Sequence, residues 1–133
     1  MKKKYLLIML SILVMASFGA CSSKDDSTPV TDTKISAEKA KEMMDQDPTV
    51  TILDVRTEEE YNAGHIEDSI LIPDTDIKEK AEGILTDKAA TILVYCRSGR
   101  RSALAAADLV ELGYSNVYDF GGIIDWSYAV VTE

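Results

Sequence analysis

The sequence is short of cations, cysteine, histidine and long apolar runs, and each shortage narrows what the chain can do. Fourteen lysines and arginines stand against 23 aspartates and glutamates, a formal charge of -9 at neutral pH. Such a surface repels nucleic acid and anionic lipid headgroups, so no nucleic-acid partner is expected and any membrane attachment has to come from something other than charge. The apolar stretch from Tyr5 to Phe18 is only about 14 residues long, against the roughly 20 that a membrane-spanning helix needs. His65 is the single histidine. A lone histidine is more often structural than catalytic, and His65 is read that way. No metal or organic cofactor is implied, and there is no internal repeat.

The two cysteines, Cys21 and Cys96, sit in very different surroundings. Lys2-Lys3-Lys4, the apolar stretch and the small residues Gly19-Ala20 have the order of a secretory signal: basic, apolar, cleavable. Phe18-Gly19-Ala20-Cys21 resembles a bacterial lipobox, with Phe18 where leucine is commonest. The resemblance implies a lipoprotein signal peptide over 1–20 and lipidation of Cys21, which becomes the mature N-terminus. It also implies a protein exported and lipid-anchored to the bacterial membrane, facing the periplasm or cell exterior. The alternative is an ordinary export signal whose cysteine is incidental. Residues 21–33 continue as a Ser/Thr/Asp-rich segment with almost nothing apolar, too little to offset the entropy of ordering, and read as a flexible linker. Losing the three signal lysines takes the formal charge from -9 to -12. With Cys21 acylated, Cys96 is the only thiol left and no intramolecular disulfide can form.

Residues 34–133, about 100, suffice for one domain, expected to be monomeric. Ser36 suits the N-cap of a helix over Ala37–Asp45, with Ala37, Ala40, Met43 and Met44 on one face. Val50–Val55, Ser69–Pro73, Thr91–Tyr95 and Asn116–Phe120 read as strands. Thr57 and Glu60 fit a capping box for a short helix ended by Gly64. Further helices are expected over Asp74–Leu85 and Arg100–Leu112, the latter stopped by Gly113. After a turn at Gly121-Gly122, a short C-terminal helix is expected to carry Trp126. Alternating strands and helices predict an α/β fold with a mostly parallel central sheet covered on both faces. In such sheets ligands bind beyond the carboxyl ends of the strands, where both Asp54-Val55-Arg56 and Cys96 fall.

Three of the chain's four arginines, Arg97, Arg100 and Arg101, crowd around Cys96 in Tyr95-Cys96-Arg97-Ser98-Gly99-Arg100-Arg101-Ser102. The first amides of a helix lack intrahelical partners, and the helix dipole is positive there. Amides of Arg97, Ser98, Gly99, Arg100 and Arg101 curling toward the sulfur would form an anion cradle. Cations and helix N-termini lower a cysteine pKa from about 8.5 into the range ~3.5–7.5, so the segment is built for a thiolate. The competing reading is a buried, inert cysteine beneath solvated arginines. A thiolate in such a cradle could attack sulfur, phosphorus or arsenic. Cysteine phosphatases space the nucleophile and arginine as Cys-x5-Arg, whereas Cys96 to Arg101 is one residue shorter.

Leu53-Asp54-Val55-Arg56, Glu60-Tyr61, Gly64-His65-Ile66, Ile72-Pro73, the segment Cys96 to Ser102, Leu112-Gly113-Tyr114, and Gly121-Gly122 with Trp126 follow one another in an order that resembles a single-domain rhodanese, a sulfurtransferase. The resemblance covers essentially all of 34–133 and implies a rhodanese-like three-layer α/β/α domain. It implies Cys96 as a persulfide-forming nucleophile with substrate held by Arg97, Ser98, Gly99, Arg100 and Arg101, while Asp54, Arg56 and His65 brace the site. The implied reaction moves a sulfane sulfur from thiosulfate or a persulfide donor to cyanide or a thiol. The alternative within the family is a sulfur-relay or protein-binding module whose true acceptor is a protein. That alternative would show an exposed apolar patch beside the loop. A phosphatase or arsenate reductase stands third, disfavoured by the short loop.

Overall fold

The computed structural model describes residues 33–133. The expected signal peptide (1–20), Cys21 and the linker up to residue 32 lie outside the described residues. Four strands, β1 (Thr51–Asp54), β2 (Ile70–Leu71), β3 (Thr91–Cys96) and β4 (Asn116–Gly122), form one sheet in the order β2-β1-β3-β4. Every neighbouring pair is parallel. Four α-helices accompany them: α1 (Ala37–Gln46), α2 (Glu58–Ala63), α3 (Ile77–Ile84) and α4 (Arg100–Glu111).

Local chemistry starts and stops these elements. Ser36 Oγ accepts the Lys39 amide at 3.1 Å and starts α1. Thr57 and Glu60 complete the reciprocal capping box of α2. Beyond α4, the Gly113 amide donates to Val110 O and the Tyr114 amide to Leu109 O, the paired bonds of a Schellman stop.

The central strands alternate side chains into two cores, as a sheet buried on both faces requires. On one face Leu53, Val55, Ile92 and Val94 pack with Ile77 and Ala81 of α3 and Ala105, Ala106 and Leu109 of α4. On the other, Ile52, Leu93, Tyr95 and Phe120 pack with Ala40 of α1, Ile66 and Trp126. The result is the expected three-layer α/β/α arrangement, with Met43 and Met44 against the second core as core packing requires.

Four expectations are corrected. Cys96 is the last residue of β3 and does not follow it. β4 runs on through Gly121-Gly122 instead of turning there: a register shift lets Cys96 pair with Gly122. The helix expected from Asp74 opens as a 3-10 turn, Asp74–Asp76, with α3 beginning at Ile77; Asp and Thr are poor helix formers. The C-terminal helix is only a 3-10 turn, Ile123–Asp125, with Trp126 just past it. Trp126 buries against Phe120, and Val131 pairs with His65 through bonds of 2.8 and 2.9 Å, which demands extended chain.

Candidate active site

Cys96 closes β3 and α4 begins four residues later, so Arg97, Ser98 and Gly99 make a tight turn over the sulfur. Gly99 has φ +99, a left-handed conformation that side chains disfavour. That conformation aims its amide at Cys96 Sγ at 3.0 Å. Cys96 is 1% exposed. Burial pushes the thiol pKa up, but the Ser102 hydroxyl and the amides of Ser102, Gly99 and Ser98 outweigh it, and the net direction is down. Backbone dipoles and one hydroxyl thus favour the thiolate form.

The three loop arginines are not equivalent. Arg101 is half-buried and grips Glu60 with two parallel bonds of 2.8 Å. That guanidinium holds the Glu60 carboxyl at about 2 although burial opposes it, with Thr57 assisting. Arg97 and Arg100 are exposed and make no ion pair among the described residues. Of the residues expected to hold substrate, Ser98 and Gly99 bring their amides to the sulfur, Arg97 and Arg100 stand free at the rim, and Arg101 ties α4 to α2.

Asp54 and Arg56, expected to brace the site, and His65 lie close together at the end of β1 and in the turn after α2. Asp54 and Arg56 are buried together, Nε donating to both carboxylate oxygens at 3.0 Å and one terminal nitrogen to Oδ2 at 2.7 Å. The same nitrogen reaches Gly64 O at 2.7 Å. Tyr95, next to Cys96, carries this bracing inward: the guanidinium lies 5.5 Å from its ring, and its hydroxyl accepts the Ile66 amide at 3.1 Å. His65 Nδ1 donates to Tyr61 O at 2.9 Å, and its ring stacks on Tyr61 at 3.7 Å. Its backbone pairs with Val131, so it fixes a turn. Among the described residues no three His, Cys, Asp or Glu side chains come together as a metal site.

Three participants escaped sequence reasoning. Ser102, fully buried, places its hydroxyl 3.5 Å from Cys96 Sγ, 3.1 Å from Gly99 O and 3.3 Å from Gly121 O. The neutral thiol donates to that hydroxyl, whose own proton is shared between the two carbonyls; once the sulfur ionises, the proton can turn toward the thiolate. Gly122 lies so close beneath the loop that a Cβ there would stand 2.6 Å from Ser98 Cα. Asp119 sets that floor, accepting the Gly121 amide at 2.9 Å and holding the φ +89 bend. The glycine pair was visible in the sequence; its approach to the loop was not.

The arrangement buries the Cys96 sulfur beneath amides that lower its pKa, with free cations at its rim. Comparison with known proteins identifies the family. The rhodanese-like domain family covers residues 36–129. Thiosulfate sulfurtransferase PspE of Escherichia coli is 40% identical over 73 residues, 55% of this chain and 70% of that protein. A tRNA uridine(34) hydroxylase of Photorhabdus laumondii is 34% identical over 98 residues, 70% of this chain, but the chain spans only 28% of that protein's length. Among solved structures, an E. coli rhodanese with anions superposes with a TM-score of 0.59 at 36% identity, covering 62% of this chain and 98% of that one. A rhodanese-related protein from Thermoplasma volcanium gives 0.66 at 35% identity, covering 75% and 98%. From the Cys96 loop to the parallel sheet beneath it, the chain belongs to the rhodanese-like domain family.

Proposed function

We propose that this protein is a sulfurtransferase that carries sulfur as a Cys96 persulfide. The observation that carries the reading is the Cys96 sulfur itself, buried at the end of β3, accepting the Gly99 amide at 3.0 Å, with its pKa lowered. The thiolate attacks the outer sulfur of thiosulfate, the S–S bond breaks, and sulfite leaves with the electron pair. Cyanide or a thiolate then attacks the outer sulfur of the persulfide and releases Cys96 as thiolate. The cycle has two steps and a covalent intermediate. Sulfite leaves in the first step and the Cys96 thiolate, stabilised by its amides, in the second, so neither step needs a general acid, in keeping with His65 being occupied by Tyr61. The short Cys96–Arg101 loop suits one sulfur better than a tetrahedral oxyanion.

Intact mass tests this. Thiosulfate adds about 32 Da at Cys96 and cyanide removes it as thiocyanate, the signature of a covalent carrier. Cys96→Ser abolishes both; retained turnover overturns the assignment. The proposal extends to placement: a monomer outside the cytoplasmic membrane, anchored by lipid on Cys21. Cys21→Ser then frees the protein from membranes or leaves an unprocessed precursor. Unchanged fractionation and mature mass refute the anchor.

A further inference from the structure

Ile124, 64% exposed, and Leu104, 56% exposed, are the most exposed large apolar side chains among the described residues. Scattered singly, such residues need no explanation. Both of these adjoin the Cys96 loop. The Ile124 amide donates to Arg97 O at 3.3 Å, which sets it beside exposed Arg97. Leu104 follows exposed Arg100 by one turn on the same face of α4. The loop is therefore flanked twice by the same combination: one unpaired cation and one bare apolar side chain. Thiosulfate can use the cations but gains nothing from Leu104 and Ile124. Cyanide, a small anion when it attacks, likewise gains nothing from the apolar pair.

We propose that this rim docks the sulfur acceptor, and that the acceptor is a polypeptide thiol whose cysteine is flanked by acidic and apolar residues. The inference rests on the sulfurtransferase reading. The acceptor's carboxylates meet Arg97 and Arg100, and its apolar residues cover Leu104 and Ile124. Its thiolate attacks the outer sulfur of the Cys96 persulfide. The S–S bond breaks, Cys96 leaves as thiolate with the electron pair, and the acceptor departs as a persulfide, with no oxidant or reductant consumed. A basic flank is excluded by the same two arginines, although the chain as a whole is acidic. Local charge decides at contact, because salt at physiological strength screens charges beyond about 8 Å.

The test charges the full-length protein with thiosulfate, removes the excess and follows discharge of the Cys96 persulfide by mass. The acceptors are cyanide and three short peptides with one cysteine each, flanked by Glu and Leu, by Lys and Leu, or by Glu and Ser. The Glu/Leu peptide is expected to discharge the persulfide at least about tenfold faster than either relative, a difference of roughly 1.4 kcal/mol. Leu104→Ser with Ile124→Ser is expected to erase its advantage over the Glu/Ser peptide while discharge to cyanide stays at the wild-type rate. Equal rates for all three peptides, or an advantage that survives the double substitution, overturns the docking surface alone. Failure to load from thiosulfate overturns the sulfurtransferase reading and the acceptor with it.

Discussion

The four arginines form two pairs in opposite circumstances. Arg56 and Arg101 have their guanidinium groups locked two-pronged onto Asp54 and Glu60. Arg97 and Arg100 have no carboxylate partner among the described residues and stand in solvent. Arg100 and Arg101 are adjacent in the chain, yet one faces solvent while the other braces a helix. A guanidinium paired with a carboxylate has part of its charge and two of its donors engaged, so under the proposed function the held pair would serve chiefly the scaffold and the free pair capture. Proximity to the nucleophile in sequence does not distinguish them.

That division can be broken by substitution, and the largest effect belongs to the most buried member. Arg56→Ala leaves Asp54 buried without its partner, and unfolding free energy is expected to fall by about 3–5 kcal/mol. Urea denaturation measures this, and a loss below about 1 kcal/mol would show the pair to be dispensable. Glu60→Gln is expected to cost about 1 kcal/mol, since the pair is two-pronged but partly exposed and screened. The sign of its pH dependence is fixed. Glu60 ionises near 2 in the fold against about 4.5 ordinarily, so the wild type's advantage is full above the ordinary value and disappears as pH falls toward 2. Melting temperatures of both proteins across that range therefore converge in acid.

Two smaller effects separate holding the thiolate from recruiting the donor. Ser102→Ala removes a hydrogen bond to the sulfur, so the pH at which Cys96 becomes alkylated by iodoacetamide moves upward. Arg97→Ala or Arg100→Ala leaves that profile in place and changes stability by under about 0.5 kcal/mol. Each lowers thiosulfate kcat/KM by about fivefold, the scale of an exposed charge contact. Added salt weakens the wild type more than these variants. A profile moved by the arginines and not by Ser102 would reverse the division of labour.

The sequence carried whatever was decided within a turn or two of chain. Ser36, the Thr57–Glu60 box and Gly113 act on amides three or four residues away, so their roles were readable from spacing. The unbroken apolar run of Thr91–Tyr95 marked a strand buried on both faces, and Cys96 at its end is the residue expected as nucleophile. What stayed hidden depends on elements that meet only in the fold. Arg101 is claimed by Glu60, 41 residues earlier. Ser102 matters because Gly121 O reaches it from β4, and Gly121-Gly122 reads as a turn until Cys96 is seen paired to Gly122. Trp126 packs in the second core, but the helix expected around it gives way to pairing of Val131 with His65.

The parallel sheet also orders events in time. Thr51 pairs with Ile92, 41 residues later, and β4 must still add to β3 at Asn116. Such distant pairings close slowly, because chain entropy is lost before contacts repay it. Until they close, nothing folds Ser98 and Gly99 over the sulfur or brings Gly121 beneath Ser102. A chain in the act of folding therefore carries an ordinary thiol, mostly protonated and slow to react at neutral pH. Its reactivity arrives with the finished sheet, after the period when a wandering thiolate would do most harm.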